Sequence, residues 1–358
     1  MKLCMIGTGY VGLVSGVCFA DIGNQVICVD KEKNKIDKLN SGISPIYEPG
    51  LDELIKKNFT AKRLLFTTDI NKAISTSDII FICVGTPTRK GSIQVDLSFV
   101  YKCTKEILKY SKRKKIIVTK STVPVGTGDE IEKILKKKKK LFTVISNPEF
   151  LREGEAIRDF RYPDRIVIGS NEKKTFNIMK KLYAPLTNKG SKFFTTSRRG
   201  AELIKYASNA FLATKITFIN ELANLCEKSG VNVEDISLGM GSDSRIGGRF
   251  LRAGPAYGGS CFPKDTKGLV SVADKYKINL SVVKSVIKSN QERVKLLTQR
   301  IHKILGLNIK NKKISFLGVT FKPNTDDMRD STSLKMIPYL CKKGAKVNYY
   351  DPSGEKNE

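Results

Sequence analysis

The chain has 358 residues, 40% of them hydrophobic, which is enough for two or three domains with their own cores. No apolar run reaches the roughly 18 residues of a spanning helix, and the glycine spacing near the N-terminus argues against a signal peptide, so we expect a cytoplasmic protein and no membrane partner. The net charge of +29 suggests nucleic acid as an alternative partner, but the densest lysine run, Lys133–Phe142, has no interleaved aromatic residues. We interpret that run as a solvated helix end before a strand and expect no nucleic-acid partner.

Short β-rich runs alternate with helical segments from residue 1 to about residue 197. The runs are almost continuously apolar, as expected for strands that are buried on both faces of a parallel sheet. The predicted strands are Lys2–Ile6, Gln25–Asp30, Asp78–Val84, Lys115–Lys120, Thr143–Ser146 and Arg165–Gly169. Helices such as Lys31–Ser41 and Leu51–Asn58 lie between them. The fold class is therefore α/β, with an N-terminal doubly wound, Rossmann-like parallel sheet.

The pattern changes after this region. Residues 199–229 contain no proline, and apolar side chains recur at helical spacing, which predicts one long helix. A second helix-rich stretch covers 266–305, with an interruption near Asn279. Strands at Lys312–Phe321 and Lys346–Asp351, with a helix between them, then begin a second α/β domain.

These changes of pattern predict three domains. The first spans residues 1–197 and the second, a helical domain, spans 198–308. The third spans 309–358 and is a partial second Rossmann-like α/β domain, because two strands are too few for an independently stable sheet.

The N-terminal sequence carries a dinucleotide-binding motif, Gly7-x-Gly9-x-x-Gly12, between a strand and a helix. The first glycine permits a tight turn, the second lets the backbone approach a pyrophosphate, and the third lets helix and strand pack closely. The phosphates then lie at the positive end of the helix. Asp30 ends the next strand, where it can accept hydrogen bonds from ribose hydroxyls and repel a 2′-phosphate. We therefore predict NAD rather than NADP; glycines that serve packing alone are the alternative.

Other polar residues lie where a ligand could react. Thr86 and Thr122 follow two further strands at the sheet edge where ligands bind, so they should face the cofactor. Lys205 and Asn209 lie one turn apart on the long helix among apolar or small neighbours, so we expect them to be buried on one face. A buried lysine needs a partner charge or a function. The segment 146–154 also follows a strand and carries two glutamates, for which surface exposure is the alternative.

The eight cysteines predict neither a metal site nor a disulfide framework. No two of them form a C-x-x-C pair, and disulfides are not expected without a secretion signal. Cys4, Cys28 and Cys83 lie inside apolar runs, where a thiol serves as a small hydrophobic side chain. Cys261 differs, because its neighbours are Gly, Ser, Phe and Pro. A structural thiol, a metal ligand and a nucleophile are its alternatives.

The chain resembles the UDP-glucose/GDP-mannose dehydrogenase family over nearly its whole length. The segments that carry the resemblance are, in order, GTGYVGLVSG, PIYEPGLDEL, STVPVGT, NPEFLREG, YPDRIVIG, AELIKYASNAFLATKITFINE, SRIGGRFL, GGSCFPKD and FKPNTDDMRDS. The resemblance implies an enzyme that uses two NAD and no metal to oxidise a primary alcohol of a nucleotide sugar to a carboxylate. It also implies an NAD-binding first domain, a central dimerisation domain that forms a homodimer through the long helix, and a UDP-sugar-binding third domain.

The resemblance implies that Cys261 is the catalytic nucleophile. The first oxidation gives an aldehyde, the thiolate adds to it, a second oxidation of the thiohemiacetal gives a thioester, and water releases the acid. A helix start near Pro263–Asp265 would favour the thiolate. The other implied catalytic residues are the oxyanion donors Lys205 and Asn209, the water-holding group of Asp265, Thr122 and Lys205, and the general base Glu149.

The resemblance also implies binding residues for both ligands. The residues that match the family's NAD contacts are Gly7, Gly9, Tyr10, Val11, Gly12, Asp30, Lys35, Thr86, Thr122, Glu153, Lys264 and Arg329. The residues that match its nucleotide-sugar contacts are Glu149, Phe150, Leu151, Arg152, Glu153, Lys205, Asn209, Arg245, Phe250, Leu251, Arg252, Ala253, Gly254, Gly258 and Lys322. Among these, Arg245 would reach the substrate of the neighbouring subunit, and the glycine pair before Cys261 would leave room for the sugar.

Within the family, Phe262 after the cysteine and the segment KITFINE favour UDP-glucose as the substrate. GDP-mannose and a UDP-N-acetylhexosamine are the alternatives. Ala256 replaces a usual glycine, which is a minor change if its φ is negative. The chain ends at Glu358, whereas family members continue through the rest of the second α/β domain, so a truncated, inactive NAD-binding remnant is a further alternative.

Overall fold

The structure is a computed structural model that describes residues 1–89, 91–136 and 141–354. By internal contacts the chain divides into a first unit, Met1–Lys205, and a second unit, Tyr206–Glu358. None of the helices in the described residues combines the length and the apolarity that a bilayer span requires.

The first unit is an α/β unit in which strands and helices alternate. Its strands are β1 (Lys2–Ile6), β2 (Gln25–Val29), β3 (Leu64–Thr67), β4 (Ile79–Ile82), β5 (Lys115–Thr119), β6 (Phe142–Ser146), β7 (Arg165–Ser170) and β8 (Lys192–Thr196). Its helices are α1 (Tyr10–Asp21), α2 (Lys33–Asn40), α3 (Leu51–Thr60), α4 (Ile70–Thr76), α5 (Ser98–Tyr110), α6 (Thr127–Leu135), α7 (Ala156–Arg161) and α8 (Lys173–Thr187), followed by the start of α9 (Arg198–Ser229).

The eight strands form one sheet in the order β3-β2-β1-β4-β5-β6-β7-β8. All neighbours are parallel except β6 and β7, which are antiparallel. Strand β1 lies at the point where the order reverses, with Met5 opposite Cys28 of β2 on one side and Phe81 of β4 on the other. Ligands of doubly wound sheets bind beyond the carboxyl ends of the strands at such a point. The predicted doubly wound sheet is confirmed.

Two hydrophobic cores cover the two faces of the sheet. On one face, the ring of Phe19 from α1 lies 5.3 Å from Phe81, 4.9 Å from Phe160 and 5.4 Å from Tyr183, measured between ring centroids. The opposite face packs Ile80 of β4 and its neighbours against α4, α5 and α6. Successive strand residues point to opposite faces, so an entirely apolar strand such as β4 supplies both cores. This explains why the near-continuous apolar runs identified the strands correctly.

The second unit holds the rest of α9 and a small α/β end. Its further elements are α10 (Val233–Gly241), α11 (Phe262–Lys275), α12 (Ser281–Leu305), β9 (Lys313–Leu317), α13 (Thr332–Lys342) and β10 (Lys346–Tyr350). Strands β9 and β10 pair in parallel. The predicted long helix is confirmed and begins one residue earlier than expected, and the gap between α11 and α12 confirms the predicted interruption.

Three elements were missed because they are too short or too exposed to leave a clear apolar pattern. Strand β3 has four residues, of which Leu65 is exposed, and the edge strand β8 contains no fully buried residue. Helix α10 has no buried residue, so its sequence lacks the apolar stripe that indicates a helix.

Ala256, which stands where the family usually has glycine, was expected to be a minor change if its φ were negative. Its φ is +156°, so this expectation does not hold. The lysine run expected to end a helix extends past the last residue of α6, Leu135, and residues 137–140 lie outside the described residues.

Candidate functional site

The turn between β1 and α1 has the geometry that the glycine motif predicts. Gly7 has a φ of +102°, and a Cβ there would lie 2.8 Å from the carbonyl oxygen of Cys83. A Cβ at Gly12 would overlap the carbonyl oxygen of Gly7, so this glycine lets α1 pack on the turn. Gly9 is exposed, and a Cβ there would meet no atom within 4 Å. Gly7 and Gly12 therefore serve the packing of the chain, whereas Gly9 leaves open space in front of the helix.

This open space fits the pyrophosphate of a dinucleotide. Gly9 is the N-cap of α1, and no side chain in the described residues caps that helix end. The first N–H groups of a helix lack partners within the helix and attract anions. Tyr10 and Val11 begin the helix, so their N–H groups are available to a phosphate.

Asp30 lies beside this turn at the end of β2. Its Oδ2 accepts hydrogen bonds from the N–H of Thr8 at 2.8 Å and from the Thr8 hydroxyl at 2.9 Å, and its Oδ1 accepts one from the N–H of Glu32 at 3.1 Å. Burial alone would raise the pKa of Asp30, but these hydrogen bonds lower it below its usual value. The carboxylate therefore stays ionised, as an acceptor for ribose hydroxyls must. Lys35, which is also a predicted NAD contact, forms an ion pair with Glu32 at the surface.

Thr86 and Thr122 are joined at the same edge of the sheet. The hydroxyl of Thr86 donates to the carbonyl of Thr122 at 2.8 Å, which ties the loops after β4 and β5 together. Two parallel strands that are neighbours end side by side, so the pairing confirms that both residues lie at one edge.

Glu149 and Lys205 form a buried ion pair. Lys205 Nζ lies 3.0 Å from Glu149 Oε1, and both side chains are 5% exposed. The other carboxylate oxygen of Glu149 accepts the N–H of Leu151 at 2.6 Å. Lys205 Nζ also lies 5.2 Å from the centre of the Phe150 ring. The expected burial of Lys205 is confirmed, and surface exposure of Glu149 is excluded.

Sequence reasoning missed a second buried lysine next to this pair. Lys120 follows β5, and its Nζ lies 3.4 Å from both Asn147 Oδ1 and the Tyr183 hydroxyl. Burial lowers the pKa of Lys120 to about 8, although the neighbouring Glu149 favours the charged form. The signal was a lysine directly after a strand whose central residues are apolar and mostly buried.

Glu202 is a second residue that the sequence did not single out. Its carboxylate accepts the N–H groups of Gly126 and Gly128 at 2.7 and 2.8 Å and the hydroxyl of Ser146 at 3.0 Å. Burial raises the pKa of Glu202 to about 7, although these hydrogen bonds favour the ionised form. The signal was periodicity, because Glu202 precedes Asn209 by seven residues and so shares its helix face.

In the second unit, Cys261 is the N-cap residue of α11, with Pro263 in the first turn. It is half-buried, its Sγ lies 3.6 Å from the Ser260 hydroxyl, and its carbonyl accepts the N–H of Asp265 at 2.8 Å. The positive end of a helix of 14 residues stabilises a thiolate. The predicted helix start beside this cysteine is confirmed.

The other cysteines of the apolar runs behave as predicted. Cys4, Cys28 and Cys83 are buried, and burial raises the pKa of each thiol. They therefore stay protonated and pack as small hydrophobic side chains.

Asp265 forms hydrogen bonds with two of the other predicted residues, Asn209 and Lys264. It is fully buried, and it accepts hydrogen bonds from Asn209 Nδ2 at 2.6 Å and Lys264 Nζ at 2.5 Å. Asn209 is buried as expected, and its partner lies in the first turn of the helix that Cys261 caps.

The glycine pair before Cys261 has a packing reason that the sequence did not reveal. A Cβ at Gly258 would lie 2.5 Å from the carbonyl oxygen of Asp330, and one at Gly259, whose φ is +79°, would lie 2.7 Å from the Phe321 ring. The N–H of Gly259 also donates to the carbonyl of Arg329 at 2.8 Å. These glycines let the Cys261 loop lie directly against the segment 321–330.

The segment 250–254 is held by α9 and α12. The N–H of Gly254 donates to Asn220 Oδ1 at 2.7 Å, and its carbonyl accepts Arg293 Nε at 3.2 Å. Phe250 has a φ of +66°, and Leu251 is buried while its carbonyl accepts the Ser237 hydroxyl at 2.5 Å. Arg252 is exposed, whereas Ala253 and Gly254 are partly buried.

The loop after β6 is fixed from several sides. The guanidinium of Arg152 pairs with Asp159 at 2.6 Å, so this predicted sugar contact is already held by a carboxylate. The N–H of Gly154 donates to the Tyr10 hydroxyl at 2.5 Å and to Glu48 Oε2 at 2.7 Å. Tyr10 thus joins the loop that contains Glu153 to the start of α1.

The remaining predicted residues lie nearer the surface of the second unit. The exposed side chain of Arg245 pairs with Asp243 at 2.6 Å. Arg329 pairs with Asp327 at 2.8 Å, and Lys322 Nζ lies 5.8 Å from the centre of the Phe321 ring.

The open dinucleotide turn with an ionised acid beside it fits NAD, and together with the domain match that follows it identifies the chain as an NAD-dependent oxidoreductase. Three profiles of one family match it in succession: an NAD binding domain at residues 1–187, a central domain at 199–292 and a UDP binding domain at 315–358. The chain belongs to the UDP-glucose/GDP-mannose dehydrogenase family, and its cofactor is NAD.

Individual relatives agree with this membership. The chain is 52% identical over 361 residues to a UDP-glucose 6-dehydrogenase of Rhizobium meliloti (strain 1021), covering all of this chain and 83% of the relative. It is 48% identical to the UDP-glucose 6-dehydrogenase YwqF of Bacillus subtilis (strain 168), covering 98% of this chain and 80% of the relative. A solved UDP-glucose dehydrogenase from Pyrobaculum islandicum superposes with a TM-score of 0.94 at 35% identity, covering 98% of this chain and 82% of that one. The predicted family and fold class are confirmed.

The glycine motif gives a test that separates packing from cofactor binding. Gly12→Ala should lower both the melting temperature and NAD affinity, because its Cβ would overlap the backbone of Gly7. Gly9→Ala should leave the melting temperature unchanged, because its Cβ meets nothing, and still weaken NAD binding by crowding the pyrophosphate. Thermal unfolding and titration calorimetry measure the two effects. Wild-type NAD affinity in Gly9→Ala would contradict the assignment of the open space.

Proposed function

We propose that this protein oxidises UDP-glucose to UDP-glucuronate in two NAD-dependent steps, with Cys261 as the covalent nucleophile. The observation that carries the proposal is the arrangement at α11, where Cys261 caps the helix and the buried Asp265 lies in its first turn, bound to Asn209 and Lys264. The UDP binding domain profile and the names of the relatives support the choice of substrate. In this assignment, residues 1–197 bind NAD, 198–308 form the central dimerisation domain, and 309–358 begin the UDP-sugar-binding domain.

The first oxidation removes a hydride from C6 of the glucose and a proton from its hydroxyl. Lys205 and Asn209 lie one turn apart on α9 and act as donors to the oxygen as negative charge develops on it. Asp265, with Thr122 and Lys205, holds the water that carries the proton away. Bound NAD supplies the hydride acceptor in both oxidations. The product of this step is the C6 aldehyde.

The second oxidation takes place on Cys261. Its thiolate forms a carbon–sulfur bond to the aldehyde carbon, and the oxygen takes up a proton to give a thiohemiacetal. Loss of a second hydride from the same carbon and of the hydroxyl proton leaves a thioester. The covalent bond keeps the aldehyde from escaping between the steps, and the N-cap position of Cys261 favours the thiolate that starts the sequence.

Hydrolysis of the thioester completes the reaction. Glu149 acts as the general base that removes a proton from water as the water attacks the thioester carbon. Lys205 holds one carboxylate oxygen of Glu149 and the N–H of Leu151 holds the other, which fixes the base in one orientation. The carbon–sulfur bond then breaks, and Cys261 leaves as the thiolate.

We also propose the ligand contacts that the family pattern implies. The residues proposed to bind NAD are Gly7, Gly9, Tyr10, Val11, Gly12, Asp30, Lys35, Thr86, Thr122, Glu153, Lys264 and Arg329. The segment 250–254 and the loop after β6 are proposed to bind the sugar nucleotide, with Gly258 and Lys322. Arg245 is exposed and is proposed to reach the substrate of a neighbouring subunit.

The surface of α9 supports a homodimer. Phe211, Phe218 and Leu225 are 66%, 46% and 61% exposed and follow one another at intervals of seven residues. This spacing aligns large apolar side chains along one side of the helix, as in helices that pack against a second helix.

The nucleophile is tested by counting NADH. With UDP-glucose and NAD, the wild type should form two NADH per sugar, whereas Cys261→Ser should form no more than one, because a neutral hydroxyl is a poor nucleophile. Absorbance at the NADH band and mass spectrometry of the product measure the stoichiometry. Cys341→Ser, which changes an exposed thiol on α13, is the matched control and should behave as the wild type.

Two outcomes would contradict the proposed function. Formation of two NADH at the wild-type rate by Cys261→Ser would refute the covalent step. A wild-type protein that binds NAD but turns over no UDP-glucose would refute the activity itself.

The dimer is tested by placing a charge on the exposed face of α9. Phe218→Glu should convert the protein to a monomer, because the glutamate would have to be buried unpaired in the helix–helix contact. Light scattering after size-exclusion chromatography measures the mass. Leu307→Glu, at a position that is 91% exposed outside α9, should stay dimeric. A wild-type mass for Phe218→Glu would place the subunit contact elsewhere.

A further inference from the structure

Glu202 is a buried carboxylate on α9 to which the proposed mechanism gives no task. It is 3% exposed, and it accepts three hydrogen bonds of 2.7 to 3.0 Å. The donors that it contacts in the described residues, Gly126, Gly128 and Ser146, are all neutral. A buried ion without a cationic partner is costly, so this carboxylate is held at the expense of stability.

The three donors belong to segments that carry proposed catalytic residues. Gly126 and Gly128 are the N-cap and the second residue of α6, directly after the loop that contains Thr122. Ser146 is the last residue of β6, three positions before Glu149. Glu202 itself precedes Lys205 by one turn of α9. One carboxylate therefore joins the segments that carry Thr122, Glu149 and Lys205.

The contacts are direct and leave little freedom. A Cβ at Gly128 would lie 3.0 Å from Glu202 Oε1 and 3.2 Å from the Ser146 hydroxyl, so only a glycine fits here without displacing these groups. Gly126 has a φ of +94°, a conformation that aims its N–H at the carboxylate and that glycine adopts without strain.

The nearby charges are committed to other partners. Arg198, one turn earlier on α9, pairs with Asp129 at 2.7 Å and with Glu132 at 2.8 Å, both on α6. Lys205 pairs with Glu149. The negative charge of Asp129 also disfavours the ionisation of Glu202. Two backbone N–H groups at the N-terminus of α6 therefore compensate the negative charge of Glu202.

We propose that Glu202 is a positioning residue whose carboxylate locks the Thr122 loop and the end of β6 onto α9, so that Thr122, Glu149 and Lys205 keep one mutual geometry. Its catalytic consequence rests on the proposed function above. A small displacement of a reacting group is enough to slow catalysis by about a hundredfold.

Glu202→Gln tests this with little change in volume. The amide has one acceptor oxygen, and in either orientation its NH2 group would face the N–H of Gly126 or of Gly128, so at least one of the three hydrogen bonds is lost. We expect kcat to fall by about tenfold to a hundredfold, while KM for UDP-glucose changes by less than about threefold. Glu202→Asp keeps the charge on a shorter side chain and should recover part of the loss.

Stability distinguishes positioning from a structural role. The folded-state pKa of Glu202 is raised to about 7, above the unfolded value of 4.5. The stability that this group contributes is therefore fully present below about pH 4.5 and is lost as the pH rises through about 7. Because glutamine does not carry the charge, the melting temperature of Glu202→Gln at pH 8 should equal or exceed that of the wild type. A lower melting temperature with unchanged kcat would show a merely structural residue and overturn the proposal.

A second readout does not depend on the substrate. Amide hydrogen exchange in residues 122–128 of the NAD-free protein should be faster in Glu202→Gln than in the wild type. Glu227→Gln, the same substitution at an exposed position of α9, should leave both exchange and kcat unchanged. If the wild type turns over no UDP-glucose, the proposed function fails while the exchange experiment still decides the role of Glu202. Unchanged exchange in Glu202→Gln would overturn the proposal in either case.

Discussion

The need to compensate every polar group that is buried along one face of α9 organises the candidate site. Arg198, Glu202, Lys205 and Asn209 are all buried, and their spacing places them along one side of the helix. Removing such groups from water costs several kcal/mol for each ion unless a partner compensates. Within the first unit, α6, the end of β6 and the loop after it supply those partners, and within the second unit Asp265 supplies one for Asn209. The same contacts that compensate burial therefore fix the groups that the proposed chemistry uses.

The parallel sheet makes this pairing possible by delivering loops to one edge. Strands β1, β4, β5 and β6 are neighbours that run in the same direction, so the residues after them emerge together. The dinucleotide turn, Thr86, Thr122 and Glu149 all lie at this edge because each follows one of these strands. The glycines at this edge, and within the second unit those of the Cys261 loop, allow backbone to approach neighbouring atoms closely, so in each unit segments far apart in sequence come into contact.

The strengths and the failures of sequence prediction have the same cause. Strands buried on both faces have continuous apolar sequences and were found, whereas β3 is too short, and β8 and α10 bury too little, to leave a pattern. The cysteine at the start of α11 was found because small residues and a proline mark the helix start. Lys120 and Glu202 were missed because a lysine or a glutamate is usually exposed, and only the surrounding elements show that these two are not.

The sequence by itself determined the local features: the α/β pattern, the glycine turn with Asp30, the long helix, and Cys261 before a helix. Each of these features depends on residues that are close in sequence, so the periodicity and the backbone preferences of a short segment predict it. Only the tertiary structure decided which charges meet. Lys205 and Glu149 are separated by 56 residues, and the glycine pair before Cys261 packs against residues 321–330. Such contacts follow from the order of strands in the sheet and from the packing of helices on it, which no short stretch of sequence encodes.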